Sequence, residues 1–357
     1  MVSRHLPSEW HPLRPTGNHP DPSPHQPLAL PKRSQVGFNE NVPRLDSTGF
    51  NETPQPSGRH WSMSLPRPVL PNTTYMLTRR CIGRRFLLLP DRVINNIFVY
   101  CLALAAEKYG VELHAACVMS NHYHLIVTDV RGVLPDFTAW LNRQLAVCIK
   151  RVRKWDEVVW EPNVACSAVE LTGTSEVLDK VAYVLLNPVS AALVRSSERW
   201  PGVVTTLATL RRGTMTARHP KVWFKNEPRE STNLTFTTPA CFADEEHYHS
   251  ALESLLASRL AQVRTRMLQQ GRGFLGRTRL RKTLVSDRPA TKKERFGRSP
   301  TFSALTRSRW LAAVKKLRAF RIAYRTAYEA WCNGGWEVEF PIGTWWVARH
   351  AGAIVAT

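Results

Sequence analysis

A chain of 357 residues is long enough for two domains, or one domain with long extensions, and can bury a sizeable core. Lys and Arg number 49 against 28 Asp and Glu, a formal net charge of +21, so the expected partner is a polyanion. The longest apolar run, residues 97–106, falls well short of the ~20 residues of a membrane span, which excludes a helical membrane protein and favours nucleic acid over a lipid surface.

Residues 1–70 carry more than half of the 25 prolines and show no sustained periodicity. Such a segment buries too little apolar surface to offset its ordering entropy, and is read as a disordered N-terminal region. Met63, just before Ser64-Leu65-Pro66-Arg67, is a candidate for the true translation start. No apolar stretch followed by a small-residue cleavage site opens the chain, so a cytoplasmic, nucleoid-associated location is expected. The seven cysteines include no C-x-x-C pair and read as reduced core residues.

From residue 71 to 204 the texture changes to alternating strand and helix. Residues 74–78 form a first strand. Asp91 caps a helix whose apolar positions Val93, Ile94, Ile97, Phe98, Cys101, Leu102 and Ala105 recur at helical spacing until Gly110 ends it. Residues 111–119 and 122–128 are strands joined by the turn Ser120-Asn121. A second helix covers 134–154, a fourth strand 164–171, and a third helix 175–187. The predicted fold is α+β, a ferredoxin-like split β-α-β-β-α-β core with an antiparallel sheet covered on one face, followed by a catalytic helix.

Residues 205–357 form a basic, mainly helical C-terminal region. Within it, residues 206–325 hold 26 Lys and Arg against 8 Asp and Glu. Helices are predicted over 244–270 and 306–331, joined by the Arg-, Lys- and Gly-rich stretch 271–299. The later helix interleaves Lys315, Lys316, Arg318, Arg321 and Arg325 with Trp310, Phe320, Tyr324 and Tyr328, a mixture that suits either nucleic acid or a solvated face over ordinary core aromatics.

The chemistry-bearing stretch is Met119-Ser120-Asn121-His122-Tyr123-His124-Leu125. On a strand, i and i+2 share a face, so His122 and His124 project together and one cation can bridge them. The same spacing also occurs on sheet faces that bind nothing. Imidazole accepts Mn, whereas Mg prefers oxygen, so a two-His site serving a phosphate wants an oxygen ligand as well. Tyr183 and Asn187 stand one helical turn apart on one face, pairing a potential nucleophile with a carboxamide oxygen. Either could equally be an ordinary rim tyrosine and a helix-end asparagine before Pro188. His247 and His249 repeat the tripeptide, but at the start of a helix, where i and i+2 diverge.

Three blocks resemble the REP-associated tyrosine transposases, single-tyrosine members of the HUH endonuclease superfamily. They are Thr73-Thr74-Tyr75-Met76-Leu77-Thr78-Arg79-Arg80, the stretch 119–125 against the family's M-P-N-H-x-H-L, and residues 183–194 against its Y-x-x-x-N-P-V-R-A-G-L-V. The likeness spans residues 73–204, with block order and spacing as the family has them. It implies that His122, His124 and Asn187 hold a divalent metal, Mg2+ or Mn2+, and that Tyr183 attacks a DNA phosphate to give a 5′-phosphotyrosine. The implied substrate is single-stranded DNA folded into a hairpin of the repetitive extragenic palindrome kind. Arg79, Arg80, Arg318, Arg321 and Arg325 are the candidate nucleic-acid contacts. No nucleotide cofactor and no membrane are expected, and a homodimer is one assembly such a protein could adopt. Ser120, Ser190 and Ala192 replace the family's proline, basic residue and glycine without removing a chemical group of the site. Two competing readings are a catalytically inactive nucleic-acid-binding protein derived from a transposase, and a hydrolytic nuclease using Asp129 or Glu170 as base.

Overall fold

The computed structural model describes residues 65–162, 164–222, 224, 229–289 and 300–357. The Pro-rich region up to residue 64 and the candidate start at Met63 lie outside the described residues.

Strand β1 (Thr73–Arg80) buries Tyr75 and Leu77 in alternation. Helix α1 (Arg92–Tyr109) begins where Asp91 accepts the Ile94 amide at 2.8 Å and stops at Gly110, whose left-handed φ of 65° lets its amide turn back to the Ala106 carbonyl. Strands β2 (Val111–Met119) and β3 (His122–Asp129) form a hairpin pairing Met119 with His122 across Ser120-Asn121. The Asp129 carboxylate accepts the Val133 and Leu134 amides and so opens α2 (Leu134–Arg153). Strand β4 (Ser167–Leu171) is shorter than predicted. Helix α3 (Thr174–Ser190) runs three residues past the predicted end at Asn187. Pro188 sits in its last turn, where it brings no N–H to the Val184 carbonyl but fits a helical φ.

The four strands lie in the order β2-β3-β1-β4 with every contact antiparallel, the ferredoxin-like split arrangement. Helices α1 and α2 cover one face, where Tyr123 meets Phe98 edge-on at 5.3 Å and donates its hydroxyl to Asn142 at 2.8 Å. Helix α3 lies against the other face, placing Tyr183 at His124. The expectation of a sheet covered on one face is therefore corrected. The reason is that β2 and β3 are buried along almost their whole length rather than in alternation, so both sides must be shielded.

Both outer edges are closed as well. Residues 203–205 bond to β2, Val118 N–H to the Val203 carbonyl and Thr205 N–H to the Ala116 carbonyl, each at 2.8 Å. Beyond helix α4 (Leu207–Arg212) comes a hairpin of β5 (Thr214–Arg218) and β6 (Ser231–Thr235), packed on α1; no expectation covered it. Helix α5 (Glu245–Gln269) is tied to α3 by an Arg259–Asp179 ion pair, and α6 (Gly276–Arg281) follows. A two-residue strand β7 (Phe302–Ser303) then joins β4 in parallel, so the full five-stranded sheet is antiparallel except at this edge. One hydrophobic cluster runs from Tyr75 on β1 to Leu280 on α6, so the basic region up to α6 shares the core of the strand-and-helix segment.

Helix α7 (Arg307–Cys332) and α8 (Trp346–Ala351) build a second small core of Ala327, Phe340 and Val347. Tyr324 meets Phe340 at 5.5 Å and packs against this core, while it also stacks on Tyr328 with centroids 6.0 Å apart, and Phe320 is buried. Cys241 and Cys332 are exposed, against the reading of the cysteines as core residues, while Cys81, Cys101, Cys117 and Cys148 are buried. Among the described residues no helix is long and apolar enough to cross a membrane.

Candidate active site on the β3–α3 face

Strand register decides which side chains meet. Thr78 pairs with His124 and Arg80 with His122, so these four share one face of the sheet, whereas Arg79 and Tyr123 share the other. The two imidazole centroids are 4.7 Å apart and their planes nearly perpendicular at 83°. From the helix above, the Tyr183 ring stands edge-on to His124 at 5.5 Å. Tyr183 is 41% exposed and Asn187, one turn further along the same helix face, 7%. The start of α3 is anchored by Glu176, fully buried, whose carboxylate accepts the Leu305 amide and an Arg309 guanidinium N–H, each at 2.6 Å.

Each imidazole has one nitrogen engaged. Thr78 Oγ1 lies 2.8 Å from His124 Nδ1, and Asn121 Oδ1 lies 2.7 Å from His122 Nδ1. His124 Nε2 is buried and has no hydrogen-bond partner. Burial pushes the His124 pKa down to about 3, with the Arg80 cation adding to the effect. His122 is held well below the usual histidine range, first by burial and then by His124, Arg80 and Arg84. Both rings are therefore neutral at pH 7, the state in which a ring nitrogen keeps a lone pair for a metal.

A buried, unpartnered imidazole nitrogen carries a cost unless something completes it, so the residues present fit a divalent cation. Among the described residues no three His, Cys, Asp or Glu side chains converge as a ligand set.

The remaining sequence candidates are distributed differently. Arg80 is on the imidazole face, whereas Arg79 donates to the Val164 carbonyl and lies over the Trp160 ring at 6.0 Å on the opposite face. Arg318, Arg321 and Arg325 are carried by α7, which Lys316 ties to Glu170 on β4 at 3.5 Å and Arg321 to the Pro66 carbonyl at 3.3 Å. Asp129 and Glu170 share the Tyr75 and Leu77 side of the sheet, away from the imidazoles, and are occupied by the α2 amides and Lys316. On α5, His247 is exposed and His249 buried, so the second His-Tyr-His tripeptide diverges as a helix requires.

Thr78 and Arg84 escaped sequence reasoning. Working out the β1–β3 register would have revealed Thr78, but Arg84 reaches His122 through a turn with φ of 61°, which no local pattern announces. Ala192 adopts a φ of 58°, a left-handed conformation that strains a residue with a Cβ, just past the end of α3.

Solved structures similar to the chain include a REP-associated tyrosine transposase bound to a REP hairpin, 19% identical with a TM-score of 0.36, covering 42% of this chain and 87% of that one. Another is a protein from Deinococcus radiodurans R1 assigned as a transposase, 23% identical with a TM-score of 0.25, covering 35% of this chain and 97% of that one. No family model matches the chain, and no curated protein matches it.

Proposed function

We propose that this protein cleaves and rejoins single-stranded DNA by transesterification, with Tyr183 as nucleophile and hairpin DNA of the repetitive extragenic palindrome kind as substrate. The observation that carries the reading is the Tyr183 phenol set 5.5 Å from an imidazole whose buried Nε2 lacks a partner.

Tyr183 Oη forms a bond to the scissile phosphorus while the bond from phosphorus to the 3′ oxygen breaks. The phenol proton ends on that oxygen, leaving a free 3′-OH and a DNA 5′ end esterified to the protein. A 3′-OH attacking in the reverse sense rejoins a strand and regenerates the phenol. Because one phosphodiester replaces another, no nucleotide cofactor is needed. His122, His124 and Asn187 would hold a divalent ion, Mg2+ or Mn2+, which when bound supplies Lewis-acid polarisation of the non-bridging phosphate oxygens. Arg80, exposed on the same face, adds a cation for the phosphate backbone. Tyr183 is 41% exposed, so the proposed nucleophile is not enclosed in the core.

Hydrolysis would require a base to activate water, and register puts Asp129 and Glu170 on the wrong side of the sheet for that role. The test is incubation of the full chain with labelled hairpin DNA and Mn2+, followed by a denaturing gel. A covalent protein–DNA adduct is expected from the wild type and none from Tyr183→Phe; an adduct that persists in Tyr183→Phe refutes the nucleophile assignment.

A further inference from the structure

We infer that Asn121 is a positioning residue that locks His122 in the tautomer presenting Nε2 to the ion, by tying the imidazole to the turn after β1. This rests on the metal-dependent reading proposed above.

The Asn121 amide lies between two partners. Its Nδ2 is 3.2 Å from the Arg84 carbonyl and its Oδ1 is 2.7 Å from His122 Nδ1. A backbone carbonyl can only accept, so the group facing Arg84 must be the NH2. That orientation leaves the amide oxygen facing the ring, and an amide oxygen also only accepts. Nδ1 of His122 therefore carries the hydrogen, and in the neutral ring the lone pair belongs to Nε2. The reversed amide would set two oxygens against each other at Arg84.

The bridge is held rigidly from both ends. Cys81 N–H donates to the Asn121 carbonyl at 2.8 Å and Leu88 N–H to the Ser120 carbonyl at 2.9 Å, so the hairpin tip is bonded to the segment 81–88. Within that segment Arg84 N–H closes on the Cys81 carbonyl at 3.1 Å, with Gly83 and Arg84 both at positive φ, 51° and 61°. A turn in that conformation persists because its surroundings over-determine it, and the Asn121 NH2 is one of the groups that do so. The same turn carries the Arg84 cation toward His122, so one side chain sets the ligand ring and the neighbouring charge together.

Two measurements on the full chain test this. Long-range 1H–15N NMR of the metal-free wild type at pH 7.5, with His122 assigned by its loss in His122→Gln, is expected to show hydrogen on Nδ1 and a bare Nε2; hydrogen on Nε2 overturns the inference without recourse to a variant or a metal. Mn2+ titrations followed by electron paramagnetic resonance then compare wild type, Asn121→Ala, Asn121→Asp and the double variant His122→Ala plus His124→Ala. Loss of a partner outside the ligand set is expected to weaken Mn2+ binding about 10- to 100-fold in Asn121→Ala, with Asn121→Asp, which keeps an acceptor for Nδ1, closer to wild type. Wild-type affinity in Asn121→Ala, while the double-His variant loses Mn2+, overturns the role of Asn121 alone. Equal Mn2+ binding in the wild type and the double-His variant overturns the metal reading and this inference with it.

Discussion

His114 should make the fold acid-sensitive by a predictable amount. It is the extra residue of a bulge in β2, between Leu113 paired to Val127 and Ala115 paired to Ile126, and the bulge turns its ring fully inward. Nδ1 meets the Thr237 carbonyl at 2.8 Å, so it must carry the hydrogen, and Nε2 takes the Thr128 hydroxyl at 2.8 Å. Burial lowers its pKa to about 4, the Thr237 carbonyl opposing only in part. Above pH 6.5 the ring is neutral in both folded and unfolded chains and its contribution is fully present. As the pH falls below 6.5 the unfolded chain takes up a proton that the folded protein refuses until about pH 4, so stability drains through that window. The whole shift corresponds to about 3 kcal/mol, of which about 2 kcal/mol is lost between pH 7.5 and 5. Urea denaturation of the wild type and of His114→Gln at a series of pH values isolates the effect, because the depressed His122 and His124 contribute equally to both proteins and cancel. The stability difference between them should shrink by about 2 kcal/mol over that range. A difference that stays constant with pH would refute the argument that this ring is folded in its neutral form.

Three further outcomes follow from the site and its surroundings. Ala192→Gly should raise stability by up to about 1 kcal/mol in the same denaturation assay, since glycine accepts the φ of 58° and the gain is only partly offset by a freer unfolded chain; a loss of stability would show that the left-handed turn is not strained. His122→Ala plus His124→Ala should abolish adduct formation while retaining most hairpin binding by fluorescence anisotropy, because affinity rests on the +21 net charge; parallel loss of both would contradict that division. Glu170→Gln should keep the cleavage rate within about threefold of wild type, since its carboxylate faces Lys316; a hundredfold loss, about 3 kcal/mol in the barrier, would restore the hydrolytic alternative.

The split β-α-β-β-α-β order was legible because its signals are local. Asp91 and Gly110 mark both ends of α1, the two-residue turn Ser120-Asn121 fixes the hairpin, and period-two spacing puts His122 and His124 on one face. What stayed hidden depends on contacts distant in sequence. The β5–β6 hairpin is short and polar, and holds its place through Ala217 and Leu234 buried in the main cluster. Strand β7 is two residues long and exists only because β4 offers an open edge. The aromatic residues of α7 show the same limit: sequence spacing put them among arginines, whereas Phe340, outside that helix, draws Tyr324 into a core. Arg79 and Arg80 are adjacent in sequence and indistinguishable by composition, yet the pleat sends one to Trp160 and the other to the imidazole face.

That alternation also bears on which nucleophile the site can use. An oxygen attacking phosphorus must lose its proton whichever group carries it, and it must be held in line with the bond that breaks. The two acids weighed as bases, Asp129 and Glu170, are turned away from the imidazoles by the same period-two rule that brings His122 and His124 together, and each has its own structural task. Both rings are neutral, with Nδ1 engaged by Thr78 or Asn121, and His124 Nε2, which has no hydrogen-bond partner, lies in the ring that Tyr183 meets edge-on. In the proposed reaction the Tyr183 phenol, on a helix anchored at its start by buried Glu176 and edge-on to His124, would supply the oxygen from the protein itself. That reaction holds the attacking atom on the chain, so the strand would be retained as an ester and the energy of the broken phosphodiester would remain available for rejoining.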